Sequence, residues 1–177
     1  MKRAVVFVML AFSLQVFAQQ PNKTPTLKST LLEQLCTTHN QKEWFVPANV
    51  AIEGLTPEQA KWTDGSGNHS IGQLTVHLIF WNQQQLAKMK GEPPPKYSGN
   101  NDETFNSFDA ANWAAAVKQL DDVLTALEKT VEAADDAKIE KWASNLGHIA
   151  THNAYHTGQI VYIRKLQGSW NPEKGVK

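Results

Sequence analysis

Apolar side chains recur three or four positions apart in four segments of the chain, and polar segments separate them. Residues with this spacing lie on one side of an α-helix, so each segment predicts a helix with one buried face. The four faces comprise Leu27, Leu31, Leu35 and Thr38; Ile71, Leu74, His77, Leu78 and Trp81; Trp113, Val117, Leu120, Leu124, Leu127 and Val131; and Ile149, His152, His156, Ile160 and Ile163. No segment shows the sustained apolar and polar alternation of a half-buried strand. The pattern predicts an all-α domain.

Capping and breaking residues mark the expected ends of the first two helices. Pro25 suits the start of the first helix, which we expect to run to about Trp44. Ser70 and Gln73 have the spacing of a capping box at the start of the second helix. Residues 91–95, Gly-Glu-Pro-Pro-Pro, end that helix because consecutive prolines lack the amide donors that it needs.

The break between the second and third helices is the longest in the domain, because polar residues 98–102 follow the prolines. A connection of this length can cross the end of a bundle, so these two helices need not be antiparallel neighbours. Asp109 is the expected cap of the third helix. We further expect a short turn over residues 135–142 and a separate final helix that begins after Ser144.

The composition excludes several classes of function. A length of 177 residues suits one domain with one core. Lys+Arg and Asp+Glu both number 17, so the chain lacks the basic excess that indicates nucleic-acid binding. Cys36 is the only cysteine, which excludes an intrachain disulfide, a Cys-rich zinc site and a Cys-x-x-Cys redox pair. Histidine is therefore the residue left to bind a transition metal.

The start of the chain has the pattern of a secretory signal. Lys2 and Arg3 precede an apolar run over residues 4–14, and the small residues around Ala18 suit cleavage. We expect residues 1–18 to be a cleaved signal peptide and residues 19–177 to be the mature domain. The apolar run is shorter than the roughly 20 residues that span a bilayer, so no membrane anchor is expected after cleavage. The predicted location is the periplasm or the medium.

Three histidines lie on the buried faces of the second and last helices. His152 and His156 are four positions apart, which places their Cβ atoms about 5–6 Å from each other on one side of a helix. His77 lies on the apolar face of the second helix, where an unpaired buried imidazole would cost about 1–3 kcal/mol. A shared metal ion would satisfy all three. His148 extends the row by one turn, however, and spacing alone does not choose between the pairs 148/152 and 152/156.

Other metal chemistries fit the sequence less well. Residues 152–156 have the histidine spacing of the His-Glu-x-x-His zinc proteases, but Asn153 stands where their glutamate base would be. The chain also lacks a Glu-x-x-His unit, haem-binding cysteines and a glycine-rich phosphate loop. His39 and His69 lie near predicted helix ends, and we expect both to face solvent.

Several segments together resemble the DinB-like family. Residues 54–60 resemble the segment that precedes the family's second helix. Residues 70–78 with Trp81 resemble its second-helix signature. Residues 152–160, followed by Arg164 and residues 168–170, resemble its closing motif. The similarity extends from about Leu27 to Trp170, and the closing motif is its most specific part. The resemblance implies a four-helix bundle in up-down-down-up order, with a long crossover between helices two and three. It also implies one metal ion held by His77, His152 and His156, which makes His148 a neighbour of the site.

Members of this family are described as metal-dependent hydrolases or as transferases that use low-molecular-weight thiols. Three neutral imidazoles do not reduce the charge of a divalent ion, and they leave at least one coordination position open. A water molecule bound there has its pKa lowered toward about 7. We therefore expect a hydrolase with zinc or nickel and a small-molecule substrate. A thiol transferase suits an exported chain less well, because such thiols are cytosolic. A non-catalytic metal-holding or stress-related binding protein stays open as an alternative.

The remaining expectations concern the surroundings of the site and the partners of the chain. Tyr155, Gln159, His148 and Trp81 are the side chains expected to contact the metal ligands or the substrate, although ordinary packing would also explain them. Exposed apolar side chains beside the core face, such as Ile79 and Phe80, would permit a homodimer.

Overall fold

Helices make up the regular structure of residues 24–175, the part of the chain that the computed structural model describes. The expected signal peptide lies outside these residues. The six α-helices are α1 (Leu27–His39), α2 (Ala48–Ile52), α3 (Pro57–Lys61), α4 (Ile71–Lys90), α5 (Trp113–Ala133) and α6 (Asp136–Leu166), and 3₁₀ turns span Asn101–Phe105, Ala110–Asn112 and Pro172–Lys174. No strand occurs within residues 24–175. The predicted all-α class is confirmed.

The ends of α4 follow from local chemistry. The Ser70 hydroxyl accepts a hydrogen bond from the Gln73 amide, and the Gln73 side chain accepts one from the Ser70 amide. This capping box satisfies two amides that the first turn would otherwise leave unpaired. Gly91 ends the helix at φ 75°, a left-handed conformation that glycine adopts without a Cβ penalty. Both predicted ends of this helix are confirmed.

Two predicted boundaries were wrong. The first helix ends at His39, not near Trp44, because the following segment has little to bury: Trp44 is 97% exposed. The final helix starts at Asp136 and runs without interruption through Ser144, with Asp135 as its cap. The apolar residues of its first turns pack in the core, which explains why the helix does not break there.

The four long helices pack around two connected apolar clusters. Helix α4 contacts α5 and α6, and α1 contacts the same two helices. The most buried side chains of the first cluster are Ile71, Leu78, Leu120 and Ile160, and those of the second are Leu127, Val131, Ile139 and Leu146. Truncating one such leucine to alanine typically costs about 2–5 kcal/mol. This packing fixes the relative position of α4 and α6, the two helices that carry the three histidines.

The long connection after α4 folds back over that helix. Its turn Asn101–Phe105 contacts α4, and Phe108 lies directly against Gly72. A Cβ atom at position 72 would be 2.2 Å from the Phe108 ring, so the close approach requires glycine. Asp109 caps the turn Ala110–Asn112, which leads into α5. The connection is thus part of the wall around the histidines.

Arg164 ties the end of α6 to the rest of the fold. Its buried guanidinium donates hydrogen bonds to the carbonyls of Ala51 at 2.7 Å, Glu53 at 3.0 Å and Ser169 at 2.8 Å, and it lies 5.3 Å from the Trp170 ring centroid. Three carbonyl acceptors around one guanidinium use the several N–H donors that an arginine presents. The arginine and tryptophan of the closing motif therefore stabilise the fold rather than the site.

The surface expected to support a dimer is not exposed. Ile79 is buried, and Phe80 is half-buried with its ring centroid 5.3 Å from that of Trp81 and 5.8 Å from that of Tyr97. These two side chains therefore do not form an exposed apolar face, and the homodimer stays a prediction. Among the helices of residues 24–175, none has both the length and the apolar character needed to cross a membrane.

Candidate metal centre

The structure brings His77 of α4 together with His152 and His156 of α6. Each ring offers one nitrogen to a group whose members all lie within 4.8 Å of one another. The Nε2 atoms of His77 and His152 are 3.0 Å apart. His77 and His156 are buried and His152 is half-buried. His148 is exposed and stays outside the group, so the geometry selects the pair that the family resemblance indicated.

Thr104 fixes the tautomer of His77. The Thr104 hydroxyl donates its only hydrogen to the Asn101 carbonyl at 2.6 Å, so its oxygen must accept from His77 Nδ1 at 2.6 Å. The proton of a neutral His77 therefore lies on Nδ1, and the Nε2 lone pair points toward the other two histidines. A hydrogen bond of this kind orients a metal-binding histidine and raises its basicity. Sequence analysis missed Thr104, which lies in an irregular connection without periodicity.

Gln159 has the same effect on His156. Its side-chain oxygen accepts a hydrogen bond from His156 Nδ1 at 2.6 Å, and its amide nitrogen donates to the Tyr155 hydroxyl at 3.2 Å. The Nε2 atom of His156 is therefore also free of a proton. Tyr155 and Gln159 were expected to contact the site, and the structure places them there. Trp81 is nearby too, with its ring edge-on to His77 at a centroid distance of 6.4 Å.

The spacing of the nitrogens fits a transition-metal ion. Two nitrogen ligands at about 2.0–2.1 Å from zinc and at a tetrahedral angle are about 3.3 Å apart. The observed Nε2 separation of 3.0 Å between His77 and His152 is close to that value. The same two atoms are also within hydrogen-bonding distance, and among residues 24–175 the buried Nδ1 atom of His152 has no partner like those that orient His77 and His156. The residues present therefore fit a bound ion.

All three imidazoles are kept neutral by their surroundings. Burial, followed by repulsion from His156 and His152, lowers the pKa of His77 to about 3. Burial and repulsion from His156 lower the pKa of His152 to about 4. Burial also lowers the pKa of His156, although the hydrogen bond to Gln159 opposes the shift. Neutral imidazole is the form that binds a metal ion.

Phe105 covers one side of the cluster. Its ring stacks on His77 at a centroid distance of 4.0 Å and on His69 at 3.7 Å, so it lies between the two imidazoles. His69 is half-buried by this contact, and the expectation that it faces solvent was wrong. Sequence analysis also missed Phe105, because the connection that carries it shows no helical pattern.

His39 was also expected to face solvent, and it is completely buried. Its ring lies between Glu128 and Asp121 of α5, which provide acceptors for both ring nitrogens. The prediction failed because a polar ring at a helix end can be buried when carboxylates from another helix face it. This histidine belongs to the interface of α1 and α5, not to the metal centre.

Asn153 is directed away from the cluster. It is buried, and its side-chain amide exchanges hydrogen bonds with that of Asn82 at 2.7 and 3.2 Å. The position that holds the glutamate base in the zinc proteases therefore serves the packing of α6 against α4. Within residues 24–175 the cluster contains no carboxylate and no fourth ligand of the His, Cys, Asp or Glu type.

Two cavities reach the cluster from different sides, and His156 and Tyr155 line both. One has a volume of about 550 Å³ and apolar walls that include Trp81, Phe105 and Ile149, with His148 at its edge. The other has a volume of about 460 Å³ and lies between the segment before α4 and the second half of α6. Both volumes are in the range of small-molecule sites.

Residues 24–175 thus form a helical protein, and three of its neutral histidines form a candidate metal centre that two cavities reach. The chain belongs to the DinB superfamily, whose sequence profile matches residues 48–160. That range includes His77, His152 and His156, and the family assignment is thereby confirmed; Arg164 and residues 168–170, which the motif resemblance also included, lie outside the matched range. Comparisons with curated proteins and with solved structures gave no significant match.

Proposed function

We propose that this protein is an exported metal-dependent hydrolase in which His77, His152 and His156 hold one divalent ion, zinc or nickel. The observation that carries the proposal is the cluster of three neutral imidazoles, which two cavities of small-molecule size reach. We also propose that α1, α4, α5 and α6 form the family's four-helix bundle in up-down-down-up order, which the contacts of α1 and α4 with both α5 and α6 support.

The proposed chemistry is hydrolysis of an acyl bond. His77, His152 and His156 would hold the ion, which would supply Lewis-acid chemistry: polarisation of a carbonyl oxygen and a lowered pKa for a water molecule. Water then forms a C–O bond to the carbonyl carbon, the bond to the leaving group breaks, and the leaving group takes up a proton. The protein residues hold this arrangement: Thr104 and Gln159 fix the ring orientations, and Phe105 and Trp81 exclude solvent from one side.

Tyr155 is the best-placed proton donor for the leaving group. Its hydroxyl oxygen accepts a hydrogen bond from Gln159, so its own hydrogen is free to point at a ligand. Its side chain lines both cavities beside His156. A hydroxyl in this position can give a proton to a departing alkoxide or amine. We therefore assign Tyr155 the role of donor in the proposed hydrolysis.

A protein that holds the ion without turnover is the second candidate. The lack of a carboxylate base in the cluster within residues 24–175 favours it. The two cavities favour the enzyme, since a structural metal site is closed by protein ligands.

Metal analysis of the purified mature protein tests the proposal. After dialysis against zinc or nickel, the wild type should retain about one ion per chain, whereas His77→Ala and His156→Ala should lose it, since each removes one of three ligands. His148→Ala is the matched control, because His148 is an exposed neighbour outside the cluster and should leave the metal content unchanged. A wild type that retains no stoichiometric metal would refute the metal centre. Bound metal without hydrolysis of 4-nitrophenyl acetate would favour the second candidate.

A further inference from the structure

The cavity of about 460 Å³ beside His156 has an unusual lining. Three aromatic side chains contribute to it: Trp62, which follows α3, and Tyr155 and Tyr162, which lie two turns apart on α6. Among residues 24–175, Asp64 is the only formally charged side chain in the lining, and neither lysine nor arginine contributes to it. The walls therefore combine aromatic faces with a single negative charge.

The Asp64 carboxylate is held in place and is ionised. Its Oδ1 atom accepts hydrogen bonds from the amide and the hydroxyl of Ser66, and these bonds lower the pKa of the carboxyl. Both bonds are to Oδ1, and the Asn68 side chain also lowers the pKa of this carboxyl. Asn68, which also lines the cavity, donates to the Ser66 hydroxyl at 2.7 Å and fixes this arrangement further.

Aromatic faces and a carboxylate together favour a cation. The face of a tryptophan or tyrosine ring carries negative charge density and attracts an ammonium group within about 6 Å of its centroid. Beside Asp64 an anionic ligand would be repelled by the carboxylate; an ion bound at His156 would attract it elsewhere in the cavity, and no lysine or arginine of the lining within residues 24–175 offsets the repulsion at Asp64. A neutral ligand would gain only from burial. Among these three classes, an organic cation therefore gains most from this cavity.

We propose that this cavity binds the ammonium group of the substrate, a specificity site that rests on the proposed hydrolase function. We place the ammonium group beside Trp62 and Asp64, because the ring and the carboxylate are the parts of the lining that attract a cation. The second cavity, with walls of Trp81, Phe105 and Ile149, has no Asp, Glu, Lys or Arg in its lining and suits an uncharged acyl group. The substrate class is an ester or amide of such an acyl group with an ammonium-bearing alcohol or amine.

A binding experiment tests the cation site without turnover. Choline and 3,3-dimethylbutanol have the same shape and differ in charge, and each is titrated into the metal-free full mature chain by calorimetry. We expect choline to bind at least about tenfold more tightly. In Asp64→Asn the two ligands should bind with about equal affinity, and in Trp62→Leu the preference for choline should decrease. Glu140→Gln, an exposed acid of α6 that does not line the cavity, should keep the wild-type preference.

A hydrolysis assay distinguishes failure of the cation site from failure of the proposed hydrolase function. The zinc-loaded protein is assayed with the choline ester and the 3,3-dimethylbutyl ester of one short acyl group, and we expect kcat/KM to be at least about tenfold higher for the choline ester. Equal kcat/KM values together with equal binding of the two alcohols would overturn the cation site and leave the hydrolase standing. Preferential choline binding with no hydrolysis of either ester would support the cation site and contradict the hydrolase.

Discussion

The buried imidazole of His39 offers a sharp test of how α1 is attached to α5. Its Nδ1 atom is 2.7 Å from the Glu128 carboxylate and its Nε2 atom is 2.9 Å from that of Asp121. Carboxylate oxygens only accept hydrogen bonds, so the ring donates to both as an imidazolium, the form that the raised pKa of His39 favours; the Asn49 amide nitrogen also lies 3.2 Å from Nε2. Asn49 of α2 donates to the same Asp121 oxygen at 2.6 Å. We expect replacement of His39 by Gln to loosen the contact of three helices.

The direction of the pH dependence follows from the shifted pKa values. Burial lowers the pKa of His39, but hydrogen bonds and attraction from Glu128 and Asp121 outweigh it, and the net pKa is raised. A raised pKa contributes stability that is fully present below the ordinary value of about 6.5 and is lost as pH rises through the folded-state pKa. Hydrogen bonds from Asn49 and His39 lower the pKa of Asp121, so its contribution is lost as pH falls through that lowered value. The network should stabilise most between about pH 4 and 6.5.

The expected loss of stability in His39→Gln comes mainly from the pair of His39 with Glu128, the less exposed of the two carboxylates. Removing one partner of a buried ion pair costs about 3 kcal/mol, and this applies to His39 with Glu128, whose side chain is 16% exposed. Asp121 is 49% exposed, so solvent screens its pair with His39 and it adds at most about 1 kcal/mol. His39→Gln should therefore lower the free energy of unfolding by about 3 kcal/mol at pH 5.5.

Urea unfolding of the metal-free protein at pH 5.5, 7.0, 8.5 and 9.5 measures this effect. The difference between wild type and His39→Gln should shrink steadily as pH rises, because the wild type loses its imidazolium. Taking the difference cancels the titration of other groups. His148→Gln, a change at an exposed histidine, should differ from wild type by less than about 0.5 kcal/mol throughout. A difference for His39→Gln that is constant or grows with pH would refute the charged ring.

Two further predictions concern polar contacts beside the metal centre. Thr104→Val removes the acceptor of the His77 Nδ1 proton and should weaken zinc binding about 10- to 100-fold in chelator competition, whereas Thr104→Ser should bind as wild type does. Asn82→Leu should lower the free energy of unfolding by about 2 kcal/mol because it leaves the Asn153 amide unpaired. The double variant Asn82→Leu/Asn153→Leu should lose less free energy of unfolding than the sum of the losses of the two single variants. Additive losses in urea unfolding would show that the two amides do not depend on each other.

The sequence predicted the helices well where local chemistry decides them, and poorly where burial does. The capping box of Ser70 and the left-handed Gly91 act through neighbouring residues, so both ends of α4 could be predicted. The end of α1 and the start of α6 depend on which side chains find a partner in the core. Trp44 finds none and is exposed, whereas Ile139 is buried, and no local signal distinguishes the two.

The same distinction applies to the metal centre. Each step of four residues turns a helix by about 40° beyond a full circle, so His148, His152 and His156 fan out over about 80°. Which two of these three histidines face α4 depends on the rotation of α6 about its own axis, and the spacing of the histidines does not determine that rotation. The family motif indicated His152 and His156. Thr104 and Phe105 could not be found this way, because they reach His77 from an irregular connection more than 25 residues along the chain.

The position of Asn153 bears on where the proposed hydrolase would obtain its proton chemistry. A residue directly after His152 points about 100° around the helix from it, and in this fold that direction is the interface with α4, where Asn82 meets it. A glutamate there would be buried without a cation, at a cost of several kcal/mol. The packing that brings the histidines together therefore excludes a base of the zinc-protease kind. In the proposed hydrolysis, the groups that remain to transfer protons are those that line the cavities, and Tyr155, which lines both, contacts His156.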